Sequence, residues 1–155
     1  MDNIIHPNYI ELQSTALTQT GIFQSIADIA VKNGIATSSE EVIKGLQARE
    51  EQSTTGLLDG FAIPHTQSDT VNRSAIVIVR TETGVEWESF DNEPAFFFIA
   101  LLIPKSEAGT THLQALSALS RVLMDEDKRQ NLLDAKTNEA LSTLIENAIK
   151  PQEDN

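Results

Sequence analysis

The residues best suited to chemistry are two histidines, His65 and His112, each in a distinctive local sequence. His65 follows the apolar segment 61–63 and Pro64. The apolar residues indicate the end of a strand packed on a core, and the proline fixes φ and removes a hydrogen-bond donor. The strand is therefore expected to stop at Pro64 and to present His65 at a strand-to-loop edge, as a reactive side chain. An ordinary loop histidine is the alternative that this segment alone leaves open.

The second histidine lies in Thr111-His112-Leu113-Gln114, which fits a capping box with Thr111 as the N-cap and Gln114 reaching back to it. This places His112 in the first turn of a helix. The unpaired amides and the positive end of the helix dipole form an anion site there, and they disfavour a charged imidazolium. His112 is therefore expected to be neutral and able to donate to an oxyanion such as phosphate. A surface histidine without a partner is the alternative.

A pair of histidines could bind a metal ion or catalyse hydrolysis, but the sequence lacks the other residues that each of these functions needs. A metal site needs a third and a fourth ligand at recognisable spacing, and Asp59 and Asp69, which flank His65, suit ordinary turns equally well. Hydrolysis with a histidine base has candidate nucleophiles in segment 53–55. However, it lacks a Gly-x-Ser-x-Gly turn and an orienting carboxylate at a known offset. No metal site is predicted, and hydrolysis is disfavoured.

The remaining chemistry makes His65 itself the nucleophile. It would attack a phosphoryl group and carry it as a phosphohistidine, while Arg49 and His112 steady the equatorial oxygens. This hypothesis needs no functional residues other than the two histidines and the arginine. It requires Arg49 and His112 to converge on the strand end that carries His65.

Composition limits the classes of protein that the chain can be. Its 155 residues, 40% of them hydrophobic, are enough for one compact domain over residues 1–155. The absence of cysteine excludes disulfides and a cysteine nucleophile and makes an intracellular location plausible. A net charge of −12 repels phosphate backbones, so nucleic acid is not expected as a partner. The acidic surface would favour basic protein partners, or would serve solubility alone.

No segment is expected to target or span a membrane. The amino-terminal residues lack the basic flank and apolar stretch of a signal peptide. The longest apolar run, Ala95–Ile103, is far shorter than the roughly 20 residues that a bilayer-spanning helix needs. It suits a strand buried on both faces. A soluble protein is therefore predicted.

Hydrophobic periodicity places the chemistry-bearing residues on interleaved strands and helices. The predicted order is a strand at Tyr9–Leu12, a helix at Gly21–Lys32 ended by Gly34, a helix from the capping box Ser38–Glu41 to Arg49, a loop at Gln52–Gly56, strands at Ala75–Val79 and within Glu93–Pro104, and helices from Thr111, near Asp127–Ala135 and at Asn138–Ile149. This order predicts an α/β domain in which helices cover a sheet, and the sheet could be mixed.

Four separated blocks of sequence carry a family resemblance: 48–51 (AREE), 55–57 (TGL), 62–65 (AIPH) and 111–116 (THLQAL). In this order and spacing they resemble the enzyme IIA (EIIA) of fructose/mannitol type, or type 2, of the sugar phosphotransferase system (PTS). The resemblance covers about Tyr9 to Ile149, taken as the domain core. Segments 84–87, 91–94 and 123–126 look most like the fructose branch.

The resemblance implies a phosphocarrier with a three-layer α/β/α fold and a central mixed sheet. His65 would accept phosphate from the phosphohistidine of the carrier HPr. It would pass the group to a cysteine of enzyme IIB, which acts with the membrane enzyme IIC in sugar uptake. The resemblance also implies that Arg49 neutralises the phosphoryl group, that His112 lies beside His65 and bonds the phosphate, and that Thr55 lines the same pocket. No cofactor is implied, and the location would be cytoplasmic.

Some positions depart from the family pattern or leave its use open. Thr66 follows the active histidine where the family usually has alanine, glycine or cysteine. Its hydroxyl either crowds the partner or donates to the phosphate, which makes Thr66 a candidate pocket residue. An apolar docking rim is expected from Phe61, Ile63 and Leu57 or Leu58, with core packing as the alternative for each of them, favoured more for Ile63 than for Leu58. The competing function is a regulatory, nitrogen-type EIIA module whose phosphorylation state controls partner binding.

Overall fold

The computed structural model of this chain describes residues 4–107, 109 and 111–149. Strands and helices are interleaved along these residues, as the periodicity predicts. The elements are β1 (Ile10–Ser14), α1 (Gln19–Lys32), α2 (Ser39–Gln52), β2 (Phe61–Ala62), β3 (His65–Ser68), β4 (Ala75–Val85), β5 (Ala95–Pro104), α3 (Thr111–Leu123), α4 (Glu126–Asp134) and α5 (Asn138–Ile149), with short 3₁₀ turns at Pro7–Tyr9 and Lys105–Glu107.

The strands form one mixed sheet in the order β1-β4-β5-β2, and β3 also pairs with β5. The β4–β5 pair is antiparallel, whereas β1 runs parallel to β4 and both β2 and β3 run parallel to β5. Strand β5 therefore lies between β4 on one side and the two short strands on the other. The predicted α/β class with a mixed sheet is confirmed.

Helices cover both faces of the sheet because residues of β4 and β5 alternate between two hydrophobic cores. Phe97, Ile99 and Leu101 pack with residues of α3, α4 and α5. The intervening Phe98 and Ala100 pack with residues of α1 and α2. All five of these side chains are fully buried. This alternation, with a period of two residues, produces the predicted three-layer α/β/α arrangement.

The chain does not leave the sheet at Pro64, so the prediction of a strand-to-loop edge at His65 is wrong. Strands β2 and β3 keep one register against β5, with Phe61 opposite Phe97 and His65 opposite Leu101. Pro64 has no N–H to donate, but its carbonyl accepts from Leu101 N at 2.9 Å. The proline interrupts the hydrogen-bond ladder locally, and His65 begins the next strand.

Local signals set the ends of the helices that reach the site. The Ser38 side chain accepts from Glu41 N at 3.2 Å and caps α2, as predicted. Helix α2 continues to Gln52, which places Arg49 in its last turn. Helix α3 begins at Thr111, one residue earlier than a Thr111 N-cap would allow. The capping contact predicted for the Thr111 side chain lies outside what the structure describes. Within the described residues, no helix has the length and apolar character required to cross a membrane.

Candidate active site

His65 is held so that one ring nitrogen is fixed as a donor and the other is left with its lone pair. Its Nδ1 lies 2.7 Å from the Ile63 carbonyl oxygen, and a carbonyl can only accept, so Nδ1 carries the proton. Its Nε2 accepts from Arg49 Nε at 3.0 Å. The side chain is only 6% exposed, so the prediction of a histidine presented rather than buried is wrong. Nε2 is the nitrogen available for nucleophilic attack.

Arg49 contributes its guanidinium from the last turn of α2. Besides its bond to His65, Nη1 donates to the Ser53 carbonyl at 2.9 Å and to Ser53 Oγ at 3.3 Å. These contacts tie the arginine to the turn that follows α2. A guanidinium fixed in this way can present a planar set of N–H donors to an anion.

His112 reaches the same place from the first turn of α3. Its ring centroid is 5.4 Å from that of His65, with the two planes inclined by 53°. Its Nδ1 is buried and has no hydrogen-bond partner among the described residues. A buried polar atom without a partner costs roughly 1–3 kcal/mol. This cost is removed if a bound oxyanion supplies the missing partner.

The three side chains border one open cavity of about 420 Å³. Its lining consists of Arg49, His65, Thr66 and His112 with neighbours that include Gly45 and Gln52. The predicted cluster of two histidines and an arginine is therefore brought together in space. Within the described part of the chain, no group of three or more His, Asp or Glu side chains is placed to hold a metal ion.

Thr66 fits into this lining because the facing residue of α2 is a glycine. A Cβ added at Gly45 would overlap Thr66 Oγ1 and would lie 3.2 Å from Thr66 Cβ. Thr66 is 6% exposed and lines the cavity. The hydroxyl is therefore available to a group in the cavity, and its predicted role toward phosphate stays a prediction.

Thr55 does not line the cavity. Its hydroxyl donates to Glu50 Oε1 at 2.6 Å, and its backbone N–H donates to Glu50 Oε2 at 2.7 Å. Its predicted place in the phosphate pocket stays a prediction without a direct contact to support it. Glu50 also accepts from Trp87 Nε1 at 3.1 Å. This network was not predicted from the sequence, although Glu50 stands next to Arg49 in the first of the four family blocks.

The predicted apolar rim is wrong for two of its members. Phe61 is 1% exposed and Ile63 is 3% exposed, and both belong to the core beneath α3 and α5. Leu57 and Leu58 are half-buried. The exposed apolar side chain next to the site is Leu113, which follows His112 and is 62% exposed.

The surroundings favour the neutral form of both imidazoles. Burial has the largest effect on His65 and lowers its pKa below the ordinary value of 6.5. The hydrogen bond to the Ile63 carbonyl raises the pKa by a smaller amount. The charges of Arg49 and His112 lower the pKa further, each by less than the carbonyl raises it. Burial also lowers the pKa of His112, followed by the charge of Arg49. Near neutral pH both rings therefore carry one proton each, and His65 keeps the lone pair that nucleophilic attack requires.

These pKa directions predict that the free energy of unfolding falls as pH decreases below 6.5, the ordinary value for both histidines. The unfolded chain then binds protons before the folded chain does, so stability rises with pH across that interval. Urea unfolding between about pH 5 and about pH 8 measures the slope. A variant with both histidines changed to glutamine should show a smaller slope than wild type below 6.5. Equal slopes would contradict the prediction.

Comparison with known proteins gives a family match over most of the chain. Residues 3–148 match the family model described as "Phosphoenolpyruvate-dependent sugar phosphotransferase system, EIIA 2". The fructose-specific EIIA component of the PTS of Haloferax volcanii is 32% identical over 141 residues, which is 91% of this chain and 91% of that protein. Some longer relatives match as well, and the chain spans between 17% and 21% of their length.

Solved structures of similar fold come from more than one functional branch. The nitrogen regulatory protein IIA-Ntr of Neisseria meningitidis superposes with a TM-score of 0.84 at 25% identity, covering 92% of this chain and 97% of that one. The complex of enzyme IIA and phosphorylated enzyme IIB for mannitol, from Escherichia coli, gives a TM-score of 0.75 at 20% identity, with coverage of 92% and 97%. The second likeness bears on the fold alone.

Proposed function

Because the chain belongs to the EIIA type 2 family of the phosphoenolpyruvate-dependent sugar phosphotransferase system, we propose that it is a phosphocarrier whose acceptor is His65. The phosphoryl group would come from phospho-HPr and would pass to a cysteine of enzyme IIB, which acts with the membrane enzyme IIC in sugar uptake. The observation that carries this proposal is the unprotonated His65 Nε2, whose lone pair accepts from Arg49 Nε at 3.0 Å. The fructose-specific relative favours a fructose-type sugar.

The chemistry needs two in-line displacements at phosphorus. In the first, the Nε2 lone pair forms the new N–P bond while the donor's N–P bond breaks and its electron pair returns to the donor imidazole. In the second, the cysteine thiolate of enzyme IIB attacks phosphorus, and the electron pair of the Nε2–P bond returns to His65. Throughout, Nδ1–H stays on the Ile63 carbonyl, which fixes the ring and stabilises its positive charge when phosphorylated.

Arg49 must change partner during the first step. Its Nε–H donates to the lone pair that attacks, so this bond must be exchanged for a bond to a phosphoryl oxygen. The Ser53 contacts of Nη1 can hold the guanidinium nearby while this happens. Transfer of this kind depends on positioning and charge neutralisation and needs no bound cofactor.

His112 is proposed to bind a phosphoryl oxygen through its unpartnered Nδ1. Changing His112 to alanine is expected to slow phosphorylation of His65 by about 10- to 100-fold, because one of several donors to the transition state is lost. Quench-flow measurement of phosphoryl transfer from phospho-HPr would give the rate. The exposed His6 provides the matched control, and His6→Ala should behave as wild type. An unchanged rate in His112→Ala would rule out this role.

The direct test of the proposed function uses phosphoenolpyruvate labelled in its phosphoryl group, with enzyme I and HPr. The wild-type chain should acquire a label that is lost in acid and retained in base, as a phosphohistidine is. When a fructose-type enzyme IIB is added, the labelled phosphoryl group should then be transferred to its cysteine. Absence of label, with phospho-HPr present, would refute the phosphocarrier function.

A regulatory module is the second candidate, favoured by the TM-score of 0.84 to a nitrogen regulatory protein. In that case His65 would still be labelled, but the labelled phosphoryl group would not be transferred to an enzyme IIB. The phosphorylated and unphosphorylated forms would instead differ in affinity for a protein partner. We also propose that residues 1–155 form a single domain and that the protein works in the cytoplasm, where it would meet phospho-HPr.

A further inference from the structure

The carboxylate of Glu50 accepts four hydrogen bonds, and all of its donors are neutral. Oε2 accepts from Thr55 N at 2.7 Å, Thr54 Oγ1 at 3.1 Å and Trp87 Nε1 at 3.1 Å, and Oε1 accepts from Thr55 Oγ1 at 2.6 Å. Within the described residues, Glu50 forms no ion pair with Arg49 or any other cation. Glu50 lies beside a site that suits anions, and its carboxylate does not serve to neutralise a neighbouring cation.

The donors show what the carboxylate holds in place. Two of them belong to Thr55 and one to Thr54, so Glu50 fixes the turn that directly follows α2. The single proton of the Thr54 hydroxyl is shared between Glu50 Oε2 and the carbonyl of Glu88, which lies on the segment after β4. Four bonds onto one side chain leave this turn little conformational freedom.

Trp87 connects the carboxylate to the hydrophobic core. It is the single tryptophan of the chain and is 6% exposed. Its ring lies edge-on to Phe23, with centroids 5.6 Å apart, and against Phe98, with centroids 4.9 Å apart. Phe23 and Phe98 are fully buried. Glu50 therefore joins the turn to a part of the molecule that close packing keeps rigid.

The same turn anchors the arginine of the site. Ser53 precedes Thr54 and supplies the carbonyl and hydroxyl that accept from Arg49 Nη1 at 2.9 Å and 3.3 Å. A continuous set of contacts thus leads from Trp87 through Glu50 and the turn to Arg49, and from Arg49 Nε to the nucleophilic nitrogen of His65. Arg49 and Glu50 are sequence neighbours on a helix, so their side chains point in different directions and can serve these separate tasks.

We propose that Glu50 is a positioning residue for phosphoryl transfer at His65, acting through the turn of Ser53–Thr55 and the guanidinium of Arg49. This inference rests on the proposed phosphocarrier function. The role is geometric: Glu50 would place Arg49 so that its N–H donors meet the phosphoryl oxygens without a rearrangement of the turn. It also gives Thr55 an indirect part in the site.

The test compares Glu50→Ala with Glu50→Gln. The glutamine can keep the geometry, with its oxygen accepting the three bonds made to Oε2 and its amide nitrogen donating to Thr55 Oγ1. Glu50→Ala is expected to lower kcat for transfer from phospho-HPr by about 10- to 100-fold with KM for HPr changed less than about 3-fold. Glu50→Gln should stay within about 3-fold of wild type. Equal losses in both variants, or no loss in Glu50→Ala, would overturn the inference.

A second measurement does not depend on phosphoryl transfer. Arg49 on α2 and His112 on α3 are the charged or titratable groups that face His65, and the Arg49 charge lowers the pKa of His65. If Glu50→Ala releases Arg49, NMR titration of the His65 ring should show a higher pKa than in wild type or Glu50→Gln. An unchanged pKa would contradict the proposed link between Glu50 and Arg49.

Failure of the inference and failure of the proposed function give different results. If wild type takes no phosphoryl group but the pKa of His65 moves in Glu50→Ala, the function is refuted and the positioning of Arg49 is retained. If wild type is phosphorylated and Glu50→Ala matches it in rate and pKa, only the inference is refuted. Should Glu50→Ala fail to fold by circular dichroism, Thr55→Val and Trp87→Phe remove one donor each, and both should show smaller effects in the same direction.

Discussion

Changing His65 to glutamine is expected to abolish acceptance of a phosphoryl group, with a rate at least about 10⁴-fold below wild type. The amide of glutamine can still donate to the Ile63 carbonyl, but it offers no nitrogen lone pair for attack on phosphorus. The fold should persist, because a polar side chain of similar length replaces one that is buried at the cavity. Radiolabel transfer from phospho-HPr measures the loss, and circular dichroism checks the fold.

His6→Gln is the matched control for the loss of one histidine, since His6 is exposed and does not line the cavity. It should accept label at the wild-type rate. Label at a normal rate on His65→Gln would assign the acceptor to a different residue, and the proposed roles of Arg49 and His112 would then lose their basis.

Changing Arg49 to alanine is expected to slow phosphorylation by about 10²- to 10³-fold. The variant loses the charge that we propose neutralises the phosphoryl oxygens, and it loses the donor to His65 Nε2. Arg49→Lys keeps a charge but not the planar set of donors, so it should recover only part of the rate. Single-turnover kinetics with phospho-HPr would measure all three proteins.

Arg121 offers a matched control for this substitution. It is an exposed arginine in the last turn of α3, as Arg49 is in the last turn of α2. Arg121→Ala should transfer phosphoryl groups normally. Near-normal transfer by Arg49→Ala would remove Arg49 from the mechanism, and with it the route by which Glu50 is proposed to act.

Local sequence signals predicted the helices that bring the site together. The serine cap of α2 was predicted from Ser38 and Glu41, and α5 was predicted with the bounds Asn138–Ile149 that the structure has. Both depend on hydrogen bonds or apolar periodicity within one segment, which a single sequence displays. The continuation of the sheet beyond Pro64 was not predictable in this way, because it depends on pairing with β5, some 36 residues further along the chain.

Some side chains of the site could likewise be predicted from the sequence, whereas others depend on contacts between distant parts of the chain. His65, His112 and Arg49 could be chosen from their residue types and from the family resemblance, and the structure brings them together. Burial of Phe61 and Ile63 depends on which face of the sheet α3 and α5 cover, and this is settled only in three dimensions. Glu50 carries no sequence signal of its own, because its bonds to neutral donors depend on a turn and a tryptophan distant in the chain.

The contact of Gly45 with Thr66 limits the order in which these two positions can change in evolution. Alanine at position 45 would favour α2 by about 1 kcal/mol over glycine on helix propensity alone. That change is blocked while Thr66 is present, because the new Cβ would overlap its side chain. If Thr66 is first replaced by glycine, both close contacts disappear, whereas alanine at 66 would keep its Cβ 3.2 Å from the new Cβ. The two sites should therefore covary among relatives, with a larger residue at 66 occurring only with glycine at 45.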